Sequence, residues 1–259
     1  SQTGRATGAY VSGTVTGGFS GRAVAGVAAS QIGWQAAFLV LAGMIGVAAT
    51  ALWVWLPSEP ARQQRVASSQ PGSIQRLLGH HQLLATNVIG FCVLFTQVAV
   101  FTYVTFHLAD PPFRLSAFAL GWLFVVYLFG AAVTPLAGRW SDHYGHRAAL
   151  GGGIAVGLLG ATLTLVPAVM VVAVGLALVA TGVFIAQATA SSYIGSVTAV
   201  DRGLAVGLYS TFYYAGGSVG GALPSVFWNF GGWPATVALV MAIQICTFTL
   251  AWRFWPRAR

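Results

Sequence analysis

The longest stretch without a charged residue spans positions 148–200, although roughly a quarter of the residues in soluble domains are charged. About 20 apolar residues are enough for a helix to cross a bilayer, so this stretch can cross twice. We place the turn between the two crossings at Val166-Pro167-Ala168, because proline interrupts helices. The strands of a membrane barrel would alternate polar and apolar residues. This stretch shows no such alternation. The chain is therefore predicted to be an all-α membrane protein.

The composition supports this class and excludes others. Only 6% of the residues are charged, and the mean hydropathy is +0.78. The sequence pI of about 10.2 is typical of nucleic-acid-binding proteins, but the arginines stand singly and there is no lysine, so we expect no nucleic-acid partner. Cys92 and Cys246 lie inside apolar runs, as buried cysteines do, so we expect neither a metal site nor a disulfide between them. No cofactor is expected.

Charged residues, prolines and glycines divide the chain into eight predicted spans. They cover residues 8–29, 36–56, 83–106, 118–137, 148–166, 168–197, 204–226 and 233–254. Counting arginines on alternate sides leaves Arg114 alone on one side and most of the others on the opposite side. By the positive-inside rule, the arginine-rich side and both chain termini are cytoplasmic. The polar segment 58–81 is then a cytoplasmic linker, in which "SIQRLLGHH" forms either a short surface helix or solvated coil.

The chain contains an internal repeat. Residues 4–57 align without a gap to residues 203–256, and more than a quarter of the aligned positions are identical. The shared residues include Gly33-Trp34 with Gly232-Trp233. Spans one and two therefore repeat spans seven and eight in parallel orientation. We expect four further helices ahead of Ser1, roughly 120 residues, which would make two six-helix halves. Residues 1–57 would end the first half, and residues 82–259 would form the second.

The segment "GRWSDHYGHR" gathers charges in a loop between the second and third helices of the second half. Together with the parallel repeat, it resembles the major facilitator superfamily, whose loop motif reads approximately G-x-x-x-D-R-x-G-R-R. Gly138, Asp142, Gly145 and Arg147 match that motif, whereas histidines stand at 143 and 146 where arginines are usual. The resemblance implies that Asp142 faces the cytoplasmic start of the first span, near residues 4–8, and closes an inner gate. The alternative is that these charges serve membrane topology alone.

A second motif is rich in glycine. "GGFSGRAVAG" at 17–26 resembles the fifth-helix motif of antiporters in that superfamily, with Arg22 where the motif has proline. The chain as a whole resembles the bacterial YnfM-like efflux permeases. The glycines of this motif and their equivalents in the repeat are Gly17, Gly18, Gly21, Gly216, Gly217 and Gly220. Small residues at this spacing let helices pack closely in lipid. The alternative is that they form a smooth interface that slides during transport.

Apart from Arg253, which is one residue from the end of the last predicted span, Arg22 is the one charged side chain inside a predicted span. It lies eight residues before Ser30, about 12 Å along a helix. Two interpretations remain open: it snorkels or pairs for structural reasons, or it binds an anionic group.

Polar and aromatic side chains on shared helix faces are candidates for lining a substrate cavity. They are Gln97, Phe101, Gln187, Ser191, Tyr209 and Tyr213. In the family that the sequence resembles, the helices holding Gln97 and Gln187 line the pathway. Interhelical hydrogen bonding is the alternative role for these two glutamines. Aromatic residues with few charges favour a neutral or weakly amphipathic substrate.

The predicted function is secondary transport of a small drug-like or sugar-like molecule by alternating access, outward in exchange for protons. None of the four acidic residues lies within a predicted span, so a proton-coupling acid would belong to the additional helices. The alternative is a membrane sensor that binds a ligand without moving it. An enzyme is disfavoured, because no arrangement of catalytic groups stands out within a span. We expect a monomer in the bacterial inner membrane, with the lipid bilayer, the substrate and protons as partners.

Overall fold

The structure is a computed structural model, and it describes residues 2–55, 73–197 and 202–256. Those residues are almost entirely helical. The helices in chain order are α1 (Gln2–Ile32), α2 (Trp34–Trp55), α3 (Ser73–Gly79), α4 (His81–Ala109), α5 (Ala117–Leu123), α6 (Val126–Tyr144), α7 (His146–Leu163), α8 (Val169–Val197), α9 (Arg202–Ala222) and α10 (Pro224–Phe254). The predicted turn at 166–168 falls between α7 and α8.

The core lies around α4, which packs against α8, α9 and α10. Its apolar side chains are buried on several faces, and Ile89, Ala99 and Val104 have no exposed surface. A helix that is apolar all round must be covered by protein or lipid. Because other helices cover α4, it occupies the centre of the described bundle.

The helices α7 and α8 pack through glycines on both partners. A methyl group on Gly160 would lie 2.5 Å from the Gly175 carbonyl oxygen, and one on Gly182 would overlap with the Gly153 carbonyl. Backbones this close are typical of membrane helices, where packing replaces the hydrophobic drive to associate. The sequence analysis missed this interface, although Gly153 and Gly157 have the i, i+4 spacing that could have revealed it.

Two turns at equivalent positions of the repeat both contain a glycine with positive φ. Gly33, between α1 and α2, has φ of +89°. Its equivalent Gly232 has φ of +60° and forms a kink inside α10 with Gly231. Positive φ favours glycine, because it has no Cβ. The shared geometry supports the repeat, and the kink places the start of the last straight helix at Trp233, as predicted.

The predicted fourth span, 118–137, is wrong as a single helix. The structure interrupts it between α5 and α6, and the chain stays helical to Tyr144. At the interruption, the amides of Val125 and Leu128 bond to carbonyls three residues earlier rather than four. These tighter bonds end the α-helical ladder. The break lies beside the aromatic side chains described below.

Among the residues that the structure describes, four helices are long and apolar enough to cross a membrane: α2, α4, α8 and α10. The predicted number of eight spans is therefore not confirmed. Among residues 2–55, the apolar surface of α2 is largely uncovered, with Trp53 90% and Leu39 74% exposed. Such a surface suits lipid or further helices.

Part of the predicted linker is helical. The short helix α3 packs against α4, and its Leu77 is buried in the core. Residues 73–79 are thus helical and packed against the bundle rather than solvated coil. The rest of the linker before residue 73 lies outside the described residues.

Candidate functional site

Four aromatic side chains from three helices form what we call the aromatic cluster: Phe101, Phe124, Tyr127 and Phe184. The ring centroids of Phe101 and Tyr127 are 4.5 Å apart, with an edge-to-face angle of 72°. Phe124 and Phe184 lie 5.7 and 5.8 Å from Tyr127, also nearly edge-to-face. This geometry is the one that aromatic quadrupoles favour. Of the four residues, the sequence predicted only Phe101, because the others come from helices distant in the chain.

Arg22 on α1 lies against this cluster. Its guanidinium carbon is 5.0 Å from the Phe124 ring centroid and 5.3 Å from that of Tyr127. Both distances fall within the range of cation–π attraction. One guanidinium nitrogen also donates to the Gly18 carbonyl oxygen at 3.3 Å. The head group therefore points back along the helix and does not snorkel toward the Ile32 end.

A charged residue this far from a helix end would be costly in lipid. Arg22 is ten residues from the helix end at Ile32, or about 15 Å, and half of a 30 Å hydrocarbon core is also about 15 Å. An arginine at the bilayer centre costs about 2.5–3.5 kcal/mol or more unless water or protein accompanies it. Because the guanidinium is exposed in the described bundle, an aqueous or ligand-bound surrounding suits it better than lipid.

Gln97 on α4 completes this part of the site. The Tyr127 hydroxyl lies beside the Gln97 amide and within electrostatic range of Arg22. The hydroxyl has no hydrogen-bond partner of acceptable geometry, and its residue is 2% exposed. Gln97 lies twelve residues before Ala109, so it stands at about the depth of Arg22. The structure thus brings together a cation, an amide and an unsatisfied hydroxyl.

The other predicted cavity residues lie on α8 and α9. The rings of Tyr209 and Tyr213 are stacked with centroids 5.9 Å apart, and the Tyr209 hydroxyl lies beside the Ser191 hydroxyl. Gln187 is on the face of α8 that carries Phe184 and Ser191, because it is three and four residues from them. It therefore lies along α8 between the aromatic cluster and the tyrosine pair.

The two copies of the glycine motif differ in their surroundings. Gly216 and Gly220 on α9 are seated on α4, where an added methyl would meet the carbonyls of Phe91 and Phe95. Gly217 contacts Leu94 in the same interface. By contrast, Gly17 and Gly21 have no described neighbour within 4 Å of an added methyl, and Gly18 has only Arg22. Small residues on α9 are therefore required for contact with α4.

Elsewhere on α1, a close contact joins it to α5. A methyl on Gly26 would lie 3.1 Å from the Gly121 Cα, and one on Gly121 would lie 3.4 Å from the Gly26 Cα. Gly26 is one turn from Arg22, so this contact borders the aromatic cluster. Backbones touch here with few side chains between them.

The loop motif lies at the junction of α6 and α7. Gly145 has φ of +84° and separates the two helices. The Arg147 guanidinium carbon is 3.6 Å from the Trp252 ring centroid, and its buried Nε has no hydrogen-bond partner among the described side chains. His146 is 3.3 Å from the Ser192 hydroxyl. Gly138 and Asp142 both lie within α6. The Asp142 side chain is outside what the structure describes, so the predicted Asp142 gate remains a prediction.

Stacked aromatic residues lie beside His146 of the loop motif. Tyr193 and Trp255 are 4.4 Å apart between ring centroids, and the Trp255 indole donates to the Thr86 hydroxyl at 3.0 Å. The sequence analysis did not single out these residues. Within the described ranges, no group of three His, Cys, Asp or Glu side chains could hold a metal ion.

These features define a helical, multi-pass membrane protein in which polar and aromatic side chains of several helices meet beside Arg22. Comparison with known proteins specifies the class. The sequence model of the Major Facilitator Superfamily matches residues 1–111 and 111–259, and the chain belongs to this family.

Several curated proteins are similar over nearly the whole chain. It is 30% identical over 256 residues to the "Uncharacterized MFS-type transporter YybF" of Bacillus subtilis, covering 97% of this chain and 61% of that protein. It is 31% identical over 252 residues to the "Inner membrane transport protein YnfM" of Escherichia coli, covering 93% of this chain and 59% of that protein. An "Uncharacterized transporter" of Buchnera aphidicola is 27% identical over 247 residues. The chain thus spans about three fifths of the length of these relatives.

Proposed function

We propose that the protein is a secondary transporter that moves a small organic molecule across the bacterial inner membrane by alternating access. Membership of the superfamily and the transporter names of the relatives support this proposal. The observation that carries it is the contact between α1 and α5. These helices lie on opposite sides of the linker, in the two halves that the repeat predicts, and they touch through Gly26 and Gly121 beside a polar site.

A contact of this kind suits a moving interface. Large interlocking side chains would have to repack whenever two halves rock, whereas glycine surfaces can slide with little change in packing. Transporters of this architecture bind substrate near the midplane, between repeats. Arg22, Gln97 and the aromatic cluster lie on helices of both proposed halves. We propose that they stand at that depth, because Arg22 is about 15 Å from the end of α1.

We further propose outward transport in exchange for protons, with both termini cytoplasmic. The arginine asymmetry supports the orientation. Because the spans of this chain carry no Asp or Glu, the coupling acid would come from helices outside it. The proposed unit is a monomer, and Asp142 at the cytoplasmic loop would help to close the inner gate.

Flux through reconstituted vesicles tests the proposal. The full-length protein in proteoliposomes would be screened with labelled organic acids, sugars and amphipathic amines, with and without a pH gradient. Saturable flux that a protonophore abolishes would support proton-coupled transport. Saturable binding without flux would instead support the sensor, which the comparisons do not favour. An unchanged transport rate in Asp142→Asn would remove Asp142 from the gate.

A further inference from the structure

We propose that Arg22 binds the negative charge of the substrate, and that the substrate is a small organic monoanion with a flat apolar body. This inference rests on the proposed transport function and specifies the substrate class of its site. It differs from the neutral or weakly amphipathic substrate that the aromatic residues alone suggested, because the structure joins those residues to a cation.

The first support is the incomplete pairing of Arg22. A guanidinium has five N–H donors, and hydrogen bonding within the described residues uses one of them, to Gly18. The four acidic residues of the chain are Glu59, Asp110, Asp142 and Asp201, and none lies within an apolar span. Arg22 therefore presents an exposed fork of donors of the kind that binds carboxylates with two hydrogen bonds.

The second support is the Tyr127 hydroxyl. It is buried beside the Gln97 amide and within electrostatic range of Arg22, yet no group among the described residues bonds to it with acceptable geometry. A buried hydroxyl without a partner is rare in a folded protein, where nearly all such groups are satisfied. A rotation of the Gln97 amide or the Arg22 side chain on ligand binding would give it a partner. Tyr127 is thus a positioning residue for the cation.

The third support is the break between α5 and α6. It falls at Phe124 and Val125, next to the guanidinium. Interrupted membrane helices are common where a helix lines a ligand cavity. The helix break, the Arg22 guanidinium and the Tyr127 hydroxyl therefore lie next to one another.

The charge of Arg22 and the aromatic rings beside it indicate which kind of ligand fits. Arg22 is the cation that the described residues place here, and it matches one negative charge, whereas a dianionic phosphate or a nucleotide would call for more basic groups. The rings of Phe124 and Tyr127 already contact the guanidinium, and aromatic faces favour a flat apolar body stacked beside them. A carboxylate attached to an aromatic ring combines both features.

Benzoate and benzamide are matched probes, since they share a ring and differ in charge. Binding to the full-length protein in detergent would be measured by the shift in thermal unfolding midpoint and by competition with labelled benzoate. We expect benzoate to bind about tenfold or more tightly than benzamide. Arg22→Gln should abolish this preference, and Arg22→Lys should keep part of it. Arg76→Gln, on the exposed face of α3, is the matched control and should keep it all.

A second variant guards against misfolding of Arg22→Gln. Tyr127→Phe keeps the ring and should weaken benzoate binding while leaving benzamide binding unchanged. Equal binding of the two probes, no benzoate binding, or a full preference in Arg22→Gln would each overturn the anion site. The transport proposal is tested separately. If benzoate binds but neither benzoate nor any other screened solute gives flux, the transport proposal is refuted and the anion site is not.

Discussion

Replacement of Gly216 by alanine tests the packing of α9 on α4. The added methyl would overlap with the Phe91 carbonyl, a backbone group that cannot move aside as a flexible side chain would. Overpacking of this kind costs about 1–3 kcal/mol, against a gain of up to about 1 kcal/mol from the better helix propensity of alanine. We therefore expect a net loss of about 1–2 kcal/mol and a fall of roughly 2–8 °C in unfolding midpoint.

Gly221→Ala on the same helix is the matched control. Its added methyl would lie 3.7 Å from a Val98 methyl, which is ordinary contact distance, so its stability should be unchanged or slightly raised. The assay is the loss of the monodisperse peak of the full-length protein in size-exclusion chromatography after heating. A Gly216→Ala variant as stable as Gly221→Ala would refute the packing argument.

Two further predictions concern buried polar groups, measured by the same assay. Tyr127→Phe should leave stability unchanged or raise it, because its hydroxyl has no hydrogen-bond partner of acceptable geometry among the described residues. Tyr103→Phe should lose about 1 kcal/mol of stability, because it removes the hydrogen bond to the Gly221 carbonyl. Equal effects of the two substitutions would contradict this prediction. Trp255→Phe should destabilise by about 1–2 kcal/mol by leaving the Thr86 hydroxyl without its indole donor. A Trp255→Phe variant as stable as the parent would show that the indole bond contributes nothing.

Local signals predicted much of the fold. Helix positions followed from apolar runs, and the turn glycines Gly33 and Gly232 were found because the repeat aligns them. The break at Phe124 was not predicted, since its residues are as apolar as the rest of the span. Hydropathy reports burial in lipid or protein but does not register a change from one hydrogen-bond pattern to another.

The candidate site was predictable only in part. Gln97 and Phe101 were found because they share a helix face. The neighbours of Arg22 were not, because Phe124 and Tyr127 are about a hundred positions away in the chain and on another helix. Sequence spacing cannot say which helices meet. The same reasoning explains why the glycines of α9 and of α1 look alike in sequence but only those of α9 are covered by described neighbours.

A reversible cross-link between α1 and α5 tests the central claim, that two halves move against each other around this site. Gly26→Cys and Gly121→Cys would be combined with Cys246→Ser, which removes an exposed native thiol, and flux of a solute identified in the proteoliposome screen would be followed. The single Gly26→Cys variant is the control. We predict that oxidation stops flux in the double variant alone and that reduction restores it. Full flux through the cross-linked protein would contradict the account.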